Sequence, residues 1–245
     1  MDRIHCQSIR DSTEIQHVAV FIQEPLPNQR HTGIAFRVNL SDPLEYLHLA
    51  WHCRLCRETR LGTSYFWVDP KIASSRLRQI AGICDDIAHA NSSEQIPYSF
   101  GTPIGAFDSK TKKFLLGPTA TGLTCASFVL SVFETAQLRL ARYTGWPKPD
   151  EEDRKWQENI LNLLHKSKYV SPEHIKAVER EVGTSVRYRP EQVAAAAALR
   201  VRRPVKYRHA KSLGDDLVRT LRGEPVDGAF RLSLWERLLD RLGMT

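Results

Sequence analysis

The chain has 245 residues, of which 42% are hydrophobic and 26% charged, and a formal net charge of +7. Those values describe a soluble globular protein long enough to bury a sizeable core, as one large domain or as one domain with a helical appendage. No apolar run approaches the roughly 20 residues needed to cross a bilayer, which excludes a transmembrane protein.

The first 27 residues, MDRIHCQSIRDSTEIQHVAVFIQEPLP, lack the apolar stretch and small-residue cleavage site of a secretory signal. A cytoplasmic location is expected, with export by a dedicated secretion system left open. The cysteines are Cys6, Cys53, Cys56, Cys84 and Cys125. Their odd number, in a chain that does not need disulfides to hold its core, points to a reducing compartment. Cys53 and Cys56 have the spacing of half a zinc site, but no second pair matches them. No metal and no cofactor are expected.

From about residue 15 to 70, apolar and polar residues alternate in EIQHVAVFIQ, HTGIAFRVNL, EYLHLAWHCRL and TSYFWVD, with breaks at PLPN and SDP. This pattern predicts a small antiparallel sheet. A helix is expected from Ser74 to Ala90, where Leu77, Ile80, Ala81, Ile83, Cys84 and Ile87 fall on one face. A Gly/Pro-rich connection, IPYSFGTPIGAFDSKTKKFLLGPTATG, leads into GLTCASFVLSVFETAQL, residues Gly122 to Leu138.

From Lys148 onward the pattern is helical. PDEEDRKWQENILNLLHKSK starts acidic and ends basic, as a helix dipole favours. SPEHIKAVEREVG has a Ser-Pro start and a Gly stop, and Ser233 with Glu236 has capping-box spacing before SLWERLLDRL. The expected fold class is therefore α+β, a small antiparallel sheet packed on helices. The core would span residues 1–146 and a basic helical region residues 147–245.

Cys125, Phe128, Val129, Val132 and Phe133 follow helical spacing, so the cysteine opens the apolar stripe, with Thr124 as a candidate N-cap. At that position the positive end of the helix dipole favours thiolate over thiol and makes the sulfur reactive near neutral pH. The alternative is that Cys125 is a small buried residue that simply packs. A nucleophilic thiol also needs a base and a group that orients the base. His31 opens HTGIAF and His48 lies within YLHLAW, and neighbouring antiparallel strands can set such residues side by side. His52 is an alternative third member, because strict alternation would put it on the side of His48.

HTGIAF, YLHLAW, PYSFG and TCASFV, in that order, resemble the permuted papain-like arrangement of the lecithin:retinol acyltransferase and HRAS-like phospholipase families, related to the NlpC-type cysteine peptidases. The similarity spans residues 31 to about 135. Thr32 stands where those families have tryptophan, and Thr124 where they have aspartate or asparagine. The resemblance implies a permuted papain-like core with Cys125 as nucleophile, His31 as base, His48 as the residue orienting it, and Tyr98 near the oxyanion, with Thr124 beside it.

The implied function is a thiol hydrolase that forms an acyl-enzyme at Cys125 and cleaves a peptide, isopeptide or other amide bond. Lipid acyl transfer or phospholipase chemistry on the same fold is the second enzymatic reading. A non-catalytic binding protein is the reading from a different class. Between residues 187 and 211 there are eight Lys or Arg and one Glu, an excess equal to the net charge of the whole chain. Arg187, Arg189, Arg200, Arg202, Arg203 and Lys206 are the candidates for an anionic partner, whether nucleic acid, an anionic surface or an acidic protein. The alternative is a solvated face. The two helices around this region also have the outline of a helix-turn-helix pair.

Overall fold

A computed structural model describes residues 6–92, 94–115, 122–199 and 203–224. Six strands form one sheet: β1 (Cys6–Ser8), β2 (Val18–Leu26), β3 (Gln29–Phe36), β4 (Glu45–Trp51), β5 (Arg54–Glu58) and β6 (Phe66–Val68). Their order is β1-β6-β2-β3-β4-β5, and every neighbouring pair is antiparallel. With the helices below, the fold is α+β.

The PLPN break is the β2–β3 turn, in which Leu26 pairs with Gln29 and Asn28 takes a φ of 63°. Asparagine tolerates that left-handed backbone better than most residues. EYLHLAWHCRL, which alternation reads as one run, is instead the β4–β5 hairpin. The pairing shifts between Leu49 and Trp51, and Cys53 turns the chain with a φ of 51°.

Strand alternation divides the sheet into two buried faces. Val20, Ile22, Ile34, Phe36, Leu47 and Leu49 belong to the main core. Ala19, Phe21, Ala35, Tyr46 and Trp67 form a smaller cluster with Ile9 and Ile15. Helix α1 (Ser74–Ala90) buries Leu77, Ile80, Ala81, Ile83, Cys84 and Ile87, the stripe read from spacing. Helix α2 (Cys125–Thr135) packs on β3 and β4 and is buried on every side from Cys125 to Phe133. Its interior hydroxyls are satisfied within the helix: Ser131 donates to the Ser127 carbonyl at 2.7 Å and Thr135 to the Ser131 carbonyl at 2.8 Å.

The later helices are α3 (Glu151–Lys166), α4 (Pro172–Glu181), α5 (Pro190–Ala198) and α6 (Tyr207–Leu221). Asp150 caps α3 by accepting the Asp153 N–H at 2.8 Å, Ser171 caps α4, and Gly183 follows α4 with a φ of 72°. The proposed capping box at Ser233 and Glu236 lies outside the described residues. Helix α5 packs against α2, α6, β2 and β3, and the main core runs without interruption from the sheet to α5 and α6. Arg30 of β3 pairs with Glu191 of α5 at 2.7 Å, and Glu24 of β2 pairs with Arg222 at 2.7 Å, tying the β2–β3 hairpin to α5 and to the end of α6. The helix-turn-helix outline does not survive folding. Residues 182–189 separate α4 from α5, and α5 is buried from Pro190 to Ala197, leaving no face to enter a groove.

Candidate active site

Cys125 is the first residue of α2, and its position is fixed by the chain before it. Gly122 passes so close to the Pro97–Ser99 segment that a Cβ there would lie 2.6 Å from the Pro97 carbonyl carbon and closer still to its oxygen. Glycine is required for that approach. Leu123 N–H donates to the Pro97 carbonyl at 2.9 Å, and Gly122 N–H to Ser99 Oγ at 2.9 Å. Thr124 then caps the helix: its hydroxyl accepts the Ser127 N–H at 3.1 Å, while its own N–H donates to Ser127 Oγ at 2.8 Å. This reciprocal cap makes Thr124 the N-cap expected from sequence.

Tyr98 is anchored on several sides. Its carbonyl accepts from His174 Nε2 at 2.9 Å, its N–H donates to His52 Nδ1 at 3.3 Å, and its ring lies against Trp51 at 4.9 Å between centroids. Its hydroxyl faces the Cys125 sulfur and the Cys125 N–H. The N–H groups of Thr32 and Ala126 also point at the sulfur. These donors favour the thiolate, but Cys125 is 5% exposed, and burial outweighs them and pushes the thiol up to about 11. The expectation of a dipole-activated thiolate is therefore corrected: in the closed protein the thiol is neutral at pH 7.

His31 and His48 meet with Nε2 of His31 2.8 Å from Nδ1 of His48. In the β3–β4 register, where Ile34 pairs with Leu47, His48 falls opposite Gly33. A Cβ at Gly33 would lie 2.6 Å from His48 Cβ and 2.8 Å from the Leu47 carbonyl oxygen, so the missing side chain admits the imidazole. Phe21 packs edge-on against His48 at 5.7 Å. Burial and the neighbouring His48 hold His31 down at about 3, so its ring is neutral at pH 7. With Nε2 taken by His48, Nδ1 is the His31 ring nitrogen that remains. His48 Nε2 lies 3.6 Å from Glu58 Oε2, too far for a hydrogen bond but close enough for electrostatic attraction.

Both groups adjoin β3 at Thr32. The Thr32 N–H that points at sulfur belongs to the peptide bond joining it to His31, so the strand bearing the imidazole passes beside the thiol. Tyr65, whose ring is 5.3 Å from Phe21 on the histidine face, also feels the charge of Cys125. His52 does not share the face of His48, because the shift after Leu49 breaks the alternation. Its ring lies tilted against that of His174, 4.6 Å between centroids.

No family model, curated protein or solved structure matches the chain.

A narrow cavity of about 20 Å³ lies beside Cys125, lined by Tyr98, Thr124 and Cys125 together with Trp156, Arg187 and Tyr188. That volume holds about one water molecule. Arg187 lies 4.1 Å over the Trp156 ring, pairs with Asp153 at 3.1 Å, and acts electrostatically on Tyr98. A larger hollow of about 490 Å³ lies away from the sulfur, between Gln7, Trp67, Lys71 and Leu77.

Several residues named for an anionic partner have internal partners. Arg187 and Arg189 both bond to Asp153. Arg203 donates to the Ala197 and Leu199 carbonyls at 2.9 and 3.0 Å, satisfying the end of α5. Lys206 is the half-buried residue before α6, and Arg200 and Arg202 lie outside the described residues. Sequence reading assigned Arg187 to a surface patch and overlooked Trp156. Their approach to Cys125 depends on helix packing that leaves no local signal.

Proposed function

We propose that the protein is a cysteine-dependent hydrolase that forms an acyl-enzyme at Cys125 and cleaves a peptide, isopeptide or other amide bond. One observation carries this reading: a helix-opening thiol is ringed by N–H and hydroxyl donors, one of them the N–H of the residue after a histidine that is itself hydrogen-bonded to a second histidine.

In this mechanism neutral His31 takes the thiol proton at Nδ1 as the sulfur attacks the carbonyl carbon. His48 steadies the resulting imidazolium through the 2.8 Å hydrogen bond, with the Glu58 carboxylate behind it. The developing oxyanion takes the Cys125 N–H, and the Tyr98 hydroxyl donates to it from beside the same position. His31 returns the proton to the leaving amine, and water then releases the acyl group. Deprotonation is coupled to attack, because neither partner is charged at rest. The wall of Trp156, Arg187 and Tyr188 must move for a substrate larger than water to reach the sulfur, and this assigns the helical region the role of a cover.

The test is acylation by p-nitrophenyl acetate, followed by peptide mapping. An acetyl group on Cys125, absent from Cys125→Ala and formed roughly 100-fold or more slowly in His31→Ala, is the expected result. Equal acylation of the wild type and His31→Ala, or an adduct spread over all cysteines, removes the reading.

A further inference from the structure

Behind the histidine pair, on the outer strand of the sheet, is a second cluster that the hydrolase reading does not use up. Cys56 of β5 stands directly opposite His48 of β4, and Glu58, two residues on, falls on the same face as Cys56. The His48 ring nitrogen, the Cys56 sulfur and a Glu58 oxygen all lie within 4.8 Å of one another. His48 is 5% exposed, and its Nε2 is buried without a hydrogen-bond partner while facing this group. A buried polar atom in that condition costs stability unless something satisfies it.

From this geometry we infer that His48, Cys56 and Glu58 form a binding site for a thiophilic divalent cation of the zinc class. Imidazole, thiolate and carboxylate are the donor types such an ion selects, and three protein ligands leave a coordination position for solvent. The two anionic ligands balance the charge of the ion. The distances exceed those of a filled site, and the Glu58 side chain, 44% exposed, has the freedom to close them. Binding replaces the Cys56 proton, which is released to solvent. Cys53, in its left-handed turn, is not one of the three clustered groups, and Glu94 is the charged group it feels. The set is therefore different from a CxxC half-site.

Occupancy has a consequence for the thiol chemistry, and this second step rests on the hydrolase reading, whereas the metal site does not. A cation on His48 Nε2 confines the His48 proton to Nδ1, where it must donate to His31 Nε2. His31 then carries its own proton on Nδ1, and the nitrogen needed to take the Cys125 proton is blocked. The proton count of the two rings is unchanged, since the His48 Nε2 proton leaves and one is gained at His31 Nδ1. The cation would thus switch the site off through the tautomer of the base.

The experiment is titration of the full chain with Co²⁺, read by the thiolate-to-cobalt charge-transfer band in the near ultraviolet. A saturable band with one equivalent is expected. It should be lost in Cys56→Ser, weakened about tenfold or more in Glu58→Gln, and retained in Cys53→Ser. No band in the wild type, or a band that persists in Cys56→Ser with its fold intact by circular dichroism, overturns the site and leaves the hydrolase reading untouched. With Zn²⁺, the ¹⁵N shifts of His31 should show the proton moving from Nε2 to Nδ1. Unchanged shifts at saturating Zn²⁺ overturn the tautomer switch alone.

Discussion

Gly33 is the position on which the histidine pair depends. Any side chain there would meet His48 Cβ, the Leu47 carbonyl and the Phe21 ring together, and two of those atoms belong to or lie beside the β4 backbone. Gly33→Ala is therefore expected to push β3 and β4 apart, lowering stability by about 1–3 kcal/mol in urea denaturation and weakening the His31–His48 contact. A stability unchanged within a few tenths would show that the strands yield freely. From sequence, Gly33 is only a weak point in a strand. The requirement comes from the cross-strand neighbour, which local pattern does not identify. Cys125 gives the same lesson from the opposite direction. Its place at the head of a helix was readable from Thr124 and the apolar spacing, but the strength of its burial was not, and burial decides that the thiol rests neutral.

Among the elements, α3 and the segment before α5 meet at the cavity that Cys125 lines. Asp153 accepts from both Arg187 and Arg189, and Arg187 is in turn sandwiched on Trp156. The side chains of Arg187 and Asp153 are 7% and 11% exposed, so the pair is buried. Removing the acid leaves two cations crowded together. Asp153→Ala should therefore cost about 3–5 kcal/mol in chemical denaturation. It should also speed alkylation of Cys125, read by mass spectrometry, as the wall loosens. Loss of stability without faster alkylation would mean that the latch supports the fold but does not cover the thiol. Helices α1, α3 and α4 were readable because their signals are local: a one-face stripe in α1, the acidic start and basic end of α3, and the Ser-Pro start and Gly183 stop of α4. The β4–β5 hairpin was not. Its turn contains no Gly or Pro, and the shift after Leu49 interrupts an alternation that the residue types continue through His52.

On the scale of the whole molecule, the buried histidines make the fold sensitive to acid. Burial lowers His31 to about 3 and His52 to about 4, and it also lowers His48 and His174. Their protonation is disfavoured in the fold but not in the unfolded chain, so the unfolded state binds more protons below pH 6.5. The stability they confer is complete above that pH and declines as the pH falls toward 4 for His52 and 3 for His31. His31 alone contributes a slope of about 1.4 kcal/mol per pH unit, with the less buried His52 adding in the same direction. Urea midpoints measured from pH 7 to pH 4 should fall accordingly, and His31→Gln should flatten the decline. A flat profile in the wild type would contradict the buried, neutral state of these rings. Among the described residues, no helix is long and apolar enough to cross a membrane.

The sequence by itself determined the α+β class, the boundaries of the best-punctuated helices and the place of Cys125 at a helix start. All of these follow from periodicity, caps and turn residues acting over a few positions. Only the tertiary structure decided that His31 and His48 touch, that His52 faces elsewhere, that Arg187 and Trp156 line the cavity beside Cys125, and that Cys56 and Glu58 gather behind His48. Each of those depends on strand register or helix packing between residues far apart in the chain. The free energy of such contacts comes from burial shared among distant groups, which leaves no mark on any one of them in the linear order.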